Sequence, residues 1–593
     1  MTSLTTKILL FFNIIFIVLT LFFSRWIFFY KYEPEYYENY YYHSQWNIPE
    51  STRGISDGEL YKFVGYRLAW GENPFNINYE VPPFAKLIYG LAARFLGNPY
   101  WATLIFYFLS LFVLYQFSLL LFPKKLNLRL LTLLLFTSSP FIATQLTETM
   151  LDLPLTLFFL SYLYFFSLFL KTKSVKHIII AGFFLGLATG SKIGVYTPLI
   201  TFFALYILFT NKSTLKTYIF YLFSIASGYI FSFITYFIKH PNPIPWIRLH
   251  EKPIKFYMGT QGSATFDKLV QLKGVFLNQY QGFWVNASPT TLGDWSPLLP
   301  IGTILVLLLL FLSFKQKKLI YLYLSLFSLS ILFINSFIPF YPRYLMPLLP
   351  IFCLLTVYFF QHKPGIIFFI VILNIPFFYQ SVCVNQLNGN IESTARFFNT
   401  RNYRELYRNI NPSQRQQISE QFFINTLENF YTQIDTRKIN YQLTLPTTNY
   451  QTTITTGYGI ITHNGQFTYH KIHNQWKLDW SWDYLYPGYT PDKQLIITPK
   501  DKILKREVLA IPRTLTNWGE NLTVLQDLTG IKQQQINERL RFSIPDKYPR
   551  WIGDIDNKTI IKEFPFGLEI RKFYPNSTIY FDTDKQNRIY LIK

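Results

Sequence analysis

The sequence is poor in cysteine and in charged residues. Only two of its 593 residues are cysteine, and both, Cys353 and Cys383, lie beside apolar segments. We therefore expect neither a disulfide framework nor a metal site built from thiolates. Charged residues make up 15% of the chain, whereas a soluble domain carries about a quarter. Much of the chain is therefore not expected to be an ordinary soluble domain.

Apolar residues dominate instead. Half of the chain is hydrophobic, and 20% of it is Phe, Trp or Tyr. A helix that crosses a bilayer needs about 17 to 25 apolar residues. The sequence holds eleven candidate segments, near residues 8–30, 100–122, 128–146, 150–171, 177–190, 193–210, 217–238, 297–314, 319–338, 344–361 and 365–381. The pair between 177 and 210 is short and closely spaced, so a count of ten or twelve spans also fits. The first segment is too long for a signal peptide.

The net charge of +22 has a topological explanation. With Lys7 on the cytoplasmic side, the loops on that side read KKLNLR (124–129), KTKSVKH (171–177), NKSTLK (211–216), KQKK (315–318) and HK (362–363). All are basic, as the positive-inside rule requires. The extracytoplasmic face then receives loops 31–99 and 239–296 and the chain after about residue 382. We therefore expect a membrane lipid environment and no nucleic acid as a partner.

The chain changes character near residue 385. Apolar residues recur at helical spacing between about 395 and 434, and they alternate with polar residues between about 440 and 480, which indicates helices followed by an antiparallel sheet. The predicted fold is mainly α-helical: a polytopic membrane bundle over residues 1–384, then an extracytoplasmic α+β domain over 385–505. A small extension over 506–593 completes the chain.

Ionisable residues gather at the predicted extracytoplasmic ends of the spans, where they are costly unless they have a function. The carboxylates are Asp57, Glu59, Glu148 and Asp152, and the cations are Lys86, Lys192 and Arg343. Structural roles are open for several of them: Asp57 can cap a helix, and Lys192 and Arg343 can reach toward headgroups. Arg94 is interpreted as an interfacial anchor. A carboxylate that faces cations suits a reaction in which a hydroxyl loses its proton while a phosphate leaves.

The segments that carry these residues resemble one enzyme superfamily. SDGELYKFVGYRLAWGENPFNINYEVPPFAKLIYGLAARFLG (56–97) is similar to the first outer loop of the membrane GT-C glycosyltransferases, in the dolichyl-phosphate-mannose protein mannosyltransferase and aminoarabinose transferase superfamily. TMLDLPLTLFF, FFLGLATGSKIGVYTPLITFFALYILF and YPRYLMPLLP resemble later spans of the same enzymes. The similarity covers about residues 1–380, and its motifs occur in the order that the family shows.

The resemblance implies transfer of a sugar from a polyprenyl-phosphate carrier to an acceptor hydroxyl, with inversion at the anomeric carbon, at the cytoplasmic membrane of a bacterial-type cell. Asp57 would be the general base and Glu59 a helper or substitute, because Gly58 splits the acidic pair of the family. The residues that the resemblance assigns to the donor and its phosphate are Lys86, Lys192, Arg343, Asp152 and Glu148. The histidine that precedes Pro-Pro in the family is Val81 here, so that imidazole is absent.

The outer loop 239–296 is a candidate acceptor or lid segment. Trp246, His250 and Tyr257 are suited to stacking on sugars, although an interfacial aromatic belt explains them equally well. A lone His250 beside Glu251 is weak support for a metal site. We expect no essential metal and no cofactor apart from the lipid-linked donor. The acceptor stays open among a protein, a glycolipid and a wall polymer.

Residues 388–560 resemble a second family, the nuclear-transport-factor-2-like module at the N-terminus of penicillin-binding proteins of the methicillin-resistance type. LTVLQDLTGIKQQQINERL (522–540) is similar to the pedestal segment that follows this module. A transpeptidase is not expected, because STLK (213–216) lies in a predicted cytoplasmic loop and no Lys-Thr-Gly occurs. The module is interpreted as a non-catalytic binding domain. His470 and His473 fall on opposite faces of a strand and are a poor metal pair.

Two other functions stay open. A transporter or flippase for a lipid-linked precursor predicts ionisable groups at mid-membrane depth on broken helices, whereas those here lie at the predicted helix ends. A membrane-anchored, wall-binding scaffold would tolerate the joint loss of Asp57, Lys192 and Arg343.

Overall fold

The computed structural model describes residues 3–42, 44, 46, 55–192, 194–256, 269–279, 295–316, 318–338, 341–433, 436–443, 448–456, 459–472, 475–485, 491 and five short strands after residue 507. The chain divides into two compact units. Met1–Pro34 and Asp57–Asn385 form the first unit, and Glu35–Ser56 and Gln386–Lys593 form the second.

Helices account for nearly all of the regular structure up to residue 399. They are α1 (Ser3–Phe23), α2 (Pro34–Tyr42), α3 (Asp57–Ala69), α4 (Pro74–Ile77), α5 (Phe84–Leu96), α6 (Tyr100–Leu121), α7 (Leu126–Thr137), α8 (Pro140–Gln145), α9 (Asp152–Thr172), α10 (Val175–Thr189), α11 (Tyr196–Thr210), α12 (Leu215–Phe231), α13 (Ile234–Lys239), α14 (Pro243–Leu249), α15 (Glu251–Phe256), α16 (Val270–Leu277), α17 (Leu298–Gln316), α18 (Leu319–Asn335), α19 (Leu349–Phe360) and α20 (Pro364–Asn399). Short 3₁₀ helices cover Arg25–Phe28 and Pro342–Leu348.

Six of the described helical segments are long and apolar enough to cross a membrane: Leu4–Phe23, Tyr100–Leu121, Asp152–Thr172, Leu298–Gln316, Pro342–Phe360 and Pro364–Asn399. Five shorter apolar helices accompany them, namely α7, α10, α11, α12 and α18. Each predicted span overlaps one of these eleven segments. The predicted helical, membrane-type bundle is therefore confirmed, while the number of spans stays a prediction.

Hydrogen bonds between helix ends and loops show which parts of the chain share an end of the bundle. The pairs are Thr6 with Asn127 at 2.5 Å, Lys125 with Gln361 at 2.9 Å, and Lys173 with Asn211. All of them involve the basic loops that the sequence assigns to one face. Helix α9 ends at Thr172 beside this group, so its first residue, Asp152, lies about 30 Å away at the opposite end.

Helices α3 and α5 cross with their backbones in contact at two glycines. A Cβ built on Gly65 would lie 2.0 Å from the carbonyl oxygen of Lys86, and one built on Gly90 would lie 1.7 Å from that of Gly65. No larger residue fits at these distances. Because α3 begins at Asp57 and α5 begins at Phe84, directly after the Pro-Pro pair, the crossing fixes Asp57 relative to the segment that precedes α5.

Helices α10 and α12 approach each other in a similar way. A Cβ on Gly182 would lie 2.1 Å from Ser224 Oγ, and one on Gly186 would lie 2.2 Å from the carbonyl oxygen of Ile225. Small residues at helix contacts are a common means of close packing in membranes. This contact fixes α10, and with it the turn after α10 that carries Lys192.

The second unit combines helices with antiparallel strands. It contains α21 (Tyr403–Asn409), α22 (Pro412–Arg415) and α23 (Glu420–Gln433), a sheet of β1 (Thr436–Leu443), β2 (Asn449–Thr456) and β3 (Gly459–Gln466), and a hairpin of β4 (Thr468–Ile472) and β5 (Gln475–Asp479). The rings of Phe398, Tyr441 and Phe467 stack in its core. The succession of helices and then strands follows the predicted order, while the resemblance to the nuclear-transport-factor-2-like module stays a prediction.

The predicted extension over 506–593 is described at five strands: β6 (Val508–Ala510), β7 (Trp551–Asp554), β8 (Thr559–Lys562), β9 (Ile579–Asp582) and β10 (Ile589–Ile592). The pedestal-like segment 522–540 lies outside the described residues. His473 also lies outside them, and His470 pairs with Asp479 of β5.

Replacing Gly90 with alanine should force α3 and α5 apart, because the new Cβ collides with a backbone oxygen that cannot rotate away. We expect a loss of about 2 kcal/mol or more, as overpacked cores show, measured as a fall in the apparent melting temperature of the purified protein. Gly365→Ala is the matched control, since nothing lies within 4 Å of its added Cβ. Equal melting temperatures for both variants would contradict the proposed contact.

Candidate active site

Four charged side chains from separate elements form a continuous chain of ion pairs. Arg343 Nη2 lies 3.0 Å from Asp57 Oδ2, and Arg343 Nε lies 3.8 Å from Asp152 Oδ2. Lys192 Nζ pairs with the other carboxylate oxygen of Asp152. The order is therefore Asp57, Arg343, Asp152, Lys192. The sequence selected all four, and the structure brings them together at the end of the bundle opposite the basic loops.

The two carboxylates of this chain differ in exposure. The Asp152 side chain is 2% exposed and contacts both cations, whereas the Asp57 side chain is 50% exposed and contacts Arg343. Both stand in the first turn of a helix, α9 and α3 respectively, where the helix dipole favours negative charge. Asp152 is thus a buried counterion for the cations, and Asp57 is the carboxylate that another molecule can reach.

Two hydrogen bonds tie α3 and α5 to the residues directly before α9. Thr149 Oγ1 donates to the carbonyl oxygen of Gly58 at 2.6 Å, directly after Asp57. The Tyr89 hydroxyl of α5 donates to the carbonyl oxygen of Met150 at 2.6 Å. These bonds and the α3–α5 crossing hold Asp57 in reach of Arg343 although 286 positions separate the two in the chain.

Aromatic rings line the two cations. Lys192 Nζ lies 4.5 Å from the ring centroid of Tyr344, and Arg343 Cζ lies 5.1 Å from that of Tyr341. Such contacts stabilise a cation at low exposure. Burial lowers the pKa of Lys192 below its ordinary value, and the neighbouring Asp152 opposes this shift.

Lys86 lies close by but is turned inward. Its side chain is fully buried, and its ammonium donates to the backbone carbonyl oxygen of Asn78 at 3.3 Å, to Asn78 Oδ1 at 2.6 Å and to the carbonyl oxygen of Val81. An ammonium has three protons to donate. Lys86 therefore holds the segment 78–81 in place, and a phosphate would have to displace one of these partners to reach it.

Glu80 is a further carboxylate that the sequence analysis did not select. It interacts electrostatically with Asp57 and with Lys86. Burial raises the pKa of Glu80 to about 7, Asp57 adds to the rise, and Lys86 opposes it. Burial lowers the pKa of Lys86 to about 7, and Glu80 opposes that shift. The only signal in the sequence was its position beside the Pro-Pro pair.

The other predicted carboxylates occupy different surroundings. Glu59 is 1% exposed, and two positions along a helix rotate it by about 200° from Asp57, so the two carboxylates do not face the same way. Glu148 interacts electrostatically with Arg343 and accepts a hydrogen bond from Gln145 at 3.4 Å. Asp57, in contrast, is in contact with Arg343.

His250 lines an aromatic cleft next to the segment 78–81, and Trp246 packs against the aromatic rings beside this cleft. His250 Nδ1 lies 2.8 Å from the carbonyl oxygen of Trp246, and its Nε2 lies 2.8 Å from the Tyr229 hydroxyl. Because Nδ1 donates to the carbonyl, Nε2 accepts from the tyrosine, and no lone pair is left for a metal. The lining of this cleft also includes Phe75 and Val81. Tyr257 lies outside the described residues.

Arg94, interpreted as an interfacial anchor, contacts the end of α3. Its Nη1 donates to the carbonyl oxygen of Ala69, and its guanidinium lies 3.6 Å from the ring centroid of Trp70. A cation that binds the last carbonyls of a helix stabilises that end. Arg94 therefore supports the helix whose other end carries Asp57.

Residues 80–237 match the family of dolichyl-phosphate-mannose-protein mannosyltransferases. This segment is mannosyltransferase-like. It includes Lys86, Asp152 and Lys192, whereas Asp57 and Arg343 lie outside it. No curated protein matched the sequence.

Similar solved structures include ArnT from Cupriavidus metallidurans bound to undecaprenyl phosphate, with 14% identity, 64% of this chain and 66% of that chain covered, and a TM-score of 0.38. ArnT in the apo state shows 14% sequence identity and a TM-score of 0.37, and the match covers 64% of this chain and 65% of that chain. AglB is an oligosaccharyltransferase from Archaeoglobus fulgidus, solved in complex with an inhibitory peptide and a dolichol-phosphate. It shows 11% sequence identity and a TM-score of 0.35, and the match covers 68% of this chain and 60% of that chain. The chain thus spans less than two thirds of the length of these proteins. Such low scores carry no information on function.

Asp152→Asn should destabilise the first unit more than Asp57→Asn does. The first substitution leaves two poorly hydrated cations without their shared counterion, at a cost of about 3 kcal/mol, whereas the second removes a half-exposed ion pair worth at most about 1 kcal/mol. Apparent melting temperatures of the purified variants in detergent check this order. A reversed order would show that Asp152 is not the counterion of the cluster.

Proposed function

We propose that the protein is a membrane glycosyltransferase that moves a sugar from a polyprenyl-phosphate carrier to an acceptor hydroxyl. The observation that carries this proposal is the ion-pair chain from Asp57 to Lys192 at one end of an apolar helical bundle. It combines a carboxylate open to solvent with two cations at the ends of apolar helices, where we expect the phosphate of a membrane lipid to lie. The family match over residues 80–237 supports the same chemistry.

In the proposed reaction, Asp57 accepts the proton of the acceptor hydroxyl while the hydroxyl oxygen attacks the anomeric carbon of the sugar. The bond between that carbon and the phosphate oxygen breaks, and polyprenyl phosphate leaves. Arg343 and Lys192 neutralise the charge that develops on the phosphate. Attack from the side opposite the leaving group inverts the anomeric carbon. Because two cations supply the positive charge, the mechanism requires no metal and no further cofactor.

The bundle sets the direction of approach. The isoprenoid chain of the donor stays among the lipids, while its phosphate reaches the cluster from the membrane surface. We place this surface on the extracytoplasmic side of a cytoplasmic membrane, because the basic loops lie at the other end of the bundle and favour the cytoplasm. The aromatic cleft lined by His250, with Trp246 beside it, is the proposed place for the acceptor, which is a protein, a glycolipid or a wall polymer.

Asp57→Asn should lower transfer by about 10²- to 10⁴-fold, since a general base contributes that much. Purified protein is incubated with radiolabelled polyprenyl-phosphate sugars and a membrane extract as the acceptor source, and the release of carrier phosphate is counted. Glu251→Gln is the matched control, because Glu251 is an exposed carboxylate paired with Lys255.

Transfer by Asp57→Asn at the wild-type rate would move the base elsewhere, with Glu59 as the next candidate. Wild-type protein that releases no carrier phosphate from any of the sugars would favour a transporter or a scaffold instead.

Glu80→Gln should change the pH dependence of transfer. Above about pH 7 the ionised Glu80 places a second negative charge beside Asp57. This charge favours removal of the proton from the acceptor hydroxyl in the transition state, so the wild-type rate should rise as the pH increases through 7. Asp57 on α3 and Lys86 on α5 both interact electrostatically with Glu80. In Glu80→Gln the pKa of Lys86 falls further, so no step near pH 7 should remain in kcat/KM measured between pH 5.5 and 8.5. An unchanged step would exclude Glu80.

A further inference from the structure

Arg343 is held by two carboxylates that are not equally free to leave. Asp152 is 2% exposed and also serves Lys192, so its departure would strand two cations. Asp57 is 50% exposed, and water can solvate its carboxylate if the pair opens. A half-exposed ion pair of this kind contributes only about 0 to 1 kcal/mol. Asp57 is therefore the partner that a competing anion can replace.

A phosphate that approaches Arg343 competes for the same part of the guanidinium. The Nη2 group that a phosphate oxygen would bind already donates to Asp57 Oδ2 at 3.0 Å, and the Nε group faces the buried Asp152. Two anions on one N–H group repel each other. A guanidinium binds phosphate through paired N–H groups, and both of its paired edges, Nε with Nη2 and Nη1 with Nη2, include the Nη2 group that Asp57 already binds. A phosphate that binds either edge therefore competes with Asp57.

We propose that Arg343 exchanges Asp57 for the phosphate of the donor, so that Asp57 becomes free to act as the base only after the donor has bound. This inference rests on the proposed function and adds an order of binding to it. Asp152 and Lys192 stay paired and keep Arg343 in place during the exchange. In the absence of donor, Asp57 stays paired with Arg343, so that its carboxylate is engaged by the guanidinium and not by an acceptor hydroxyl.

Binding of a polyprenyl phosphate to the full-length protein tests the exchange without any turnover. Farnesyl phosphate is titrated at pH 8 into the wild-type protein and into Asp57→Asn, and the dissociation constants are compared by isothermal titration calorimetry. Removal of the competing carboxylate should tighten binding about two- to fivefold, which corresponds to the free energy of the lost ion pair. Asp57→Ala removes the same carboxylate and should tighten binding to a similar extent.

Glu80→Gln is the matched control for charge. It also removes one carboxylate near Asp57 at this pH, but the Glu80 carboxylate faces Asp57 and Lys86. Under the exchange, its effect on binding is clearly smaller than that of Asp57→Asn. Equal tightening in both variants would mean that general repulsion, and not competition for Arg343, governs binding, and would overturn the proposal. Unchanged or weaker binding by both Asp57 variants would overturn it as well.

A parallel titration with inorganic phosphate separates a lipid headgroup from free phosphate. If Asp57→Asn tightens the binding of inorganic phosphate but not of farnesyl phosphate, the exchange does not involve the donor and the proposal fails. If neither the wild-type protein nor either Asp57 variant binds farnesyl phosphate, the result contradicts the proposed function itself. Failure of the exchange alone leaves binding measurable, so the two outcomes are distinguishable.

Discussion

The pairing of buried Asp152 with both Arg343 and Lys192 is the interaction on which the candidate site depends. Cations near the apolar part of a membrane protein are costly without a counterion. A counterion that is too exposed would leave, and one that satisfied both cations fully would leave no reason for phosphate to bind. Asp152 is buried and pairs with both cations at once. Arg343 can still bind a second anion, and in this structure that anion is the carboxylate of Asp57.

Backbone packing positions Asp57 beside Arg343. The glycine contact between α3 and α5 and the bond from Thr149 to Gly58 set the start of α3 beside the start of α9. Lys86 completes this arrangement from inside, since its ammonium holds the segment 78–81. The charged groups of the candidate site thus lie at helix ends or in short segments beside them. This agrees with a reaction that depends on the placement of charges more than on covalent chemistry by the protein.

Much of this site could be predicted from the sequence, and the reasons are physical. Charged residues next to apolar spans are rare, so Asp57, Asp152, Lys192 and Arg343 stood out, and the alternation of basic loops assigned them to one face. The direction in which a side chain points could not be predicted from the sequence. Lys86 looked like its neighbours in sequence, but it points into a loop whose carbonyl groups only the fold brings together. Glu80 was missed for the same reason, because its pKa depends on burial and on Asp57, 23 positions earlier.

The most direct test of the central claim is a cryo-electron microscopy structure of the protein with a polyprenyl phosphate bound. Our account predicts the phosphate within about 3 to 4 Å of both the Arg343 guanidinium and the Lys192 ammonium, as charge-assisted hydrogen bonds require. It also predicts an Asp57 carboxylate that has turned away from Arg343 while Asp152 keeps its place. A phosphate bound elsewhere, with the pair of Asp57 and Arg343 intact, would contradict the account.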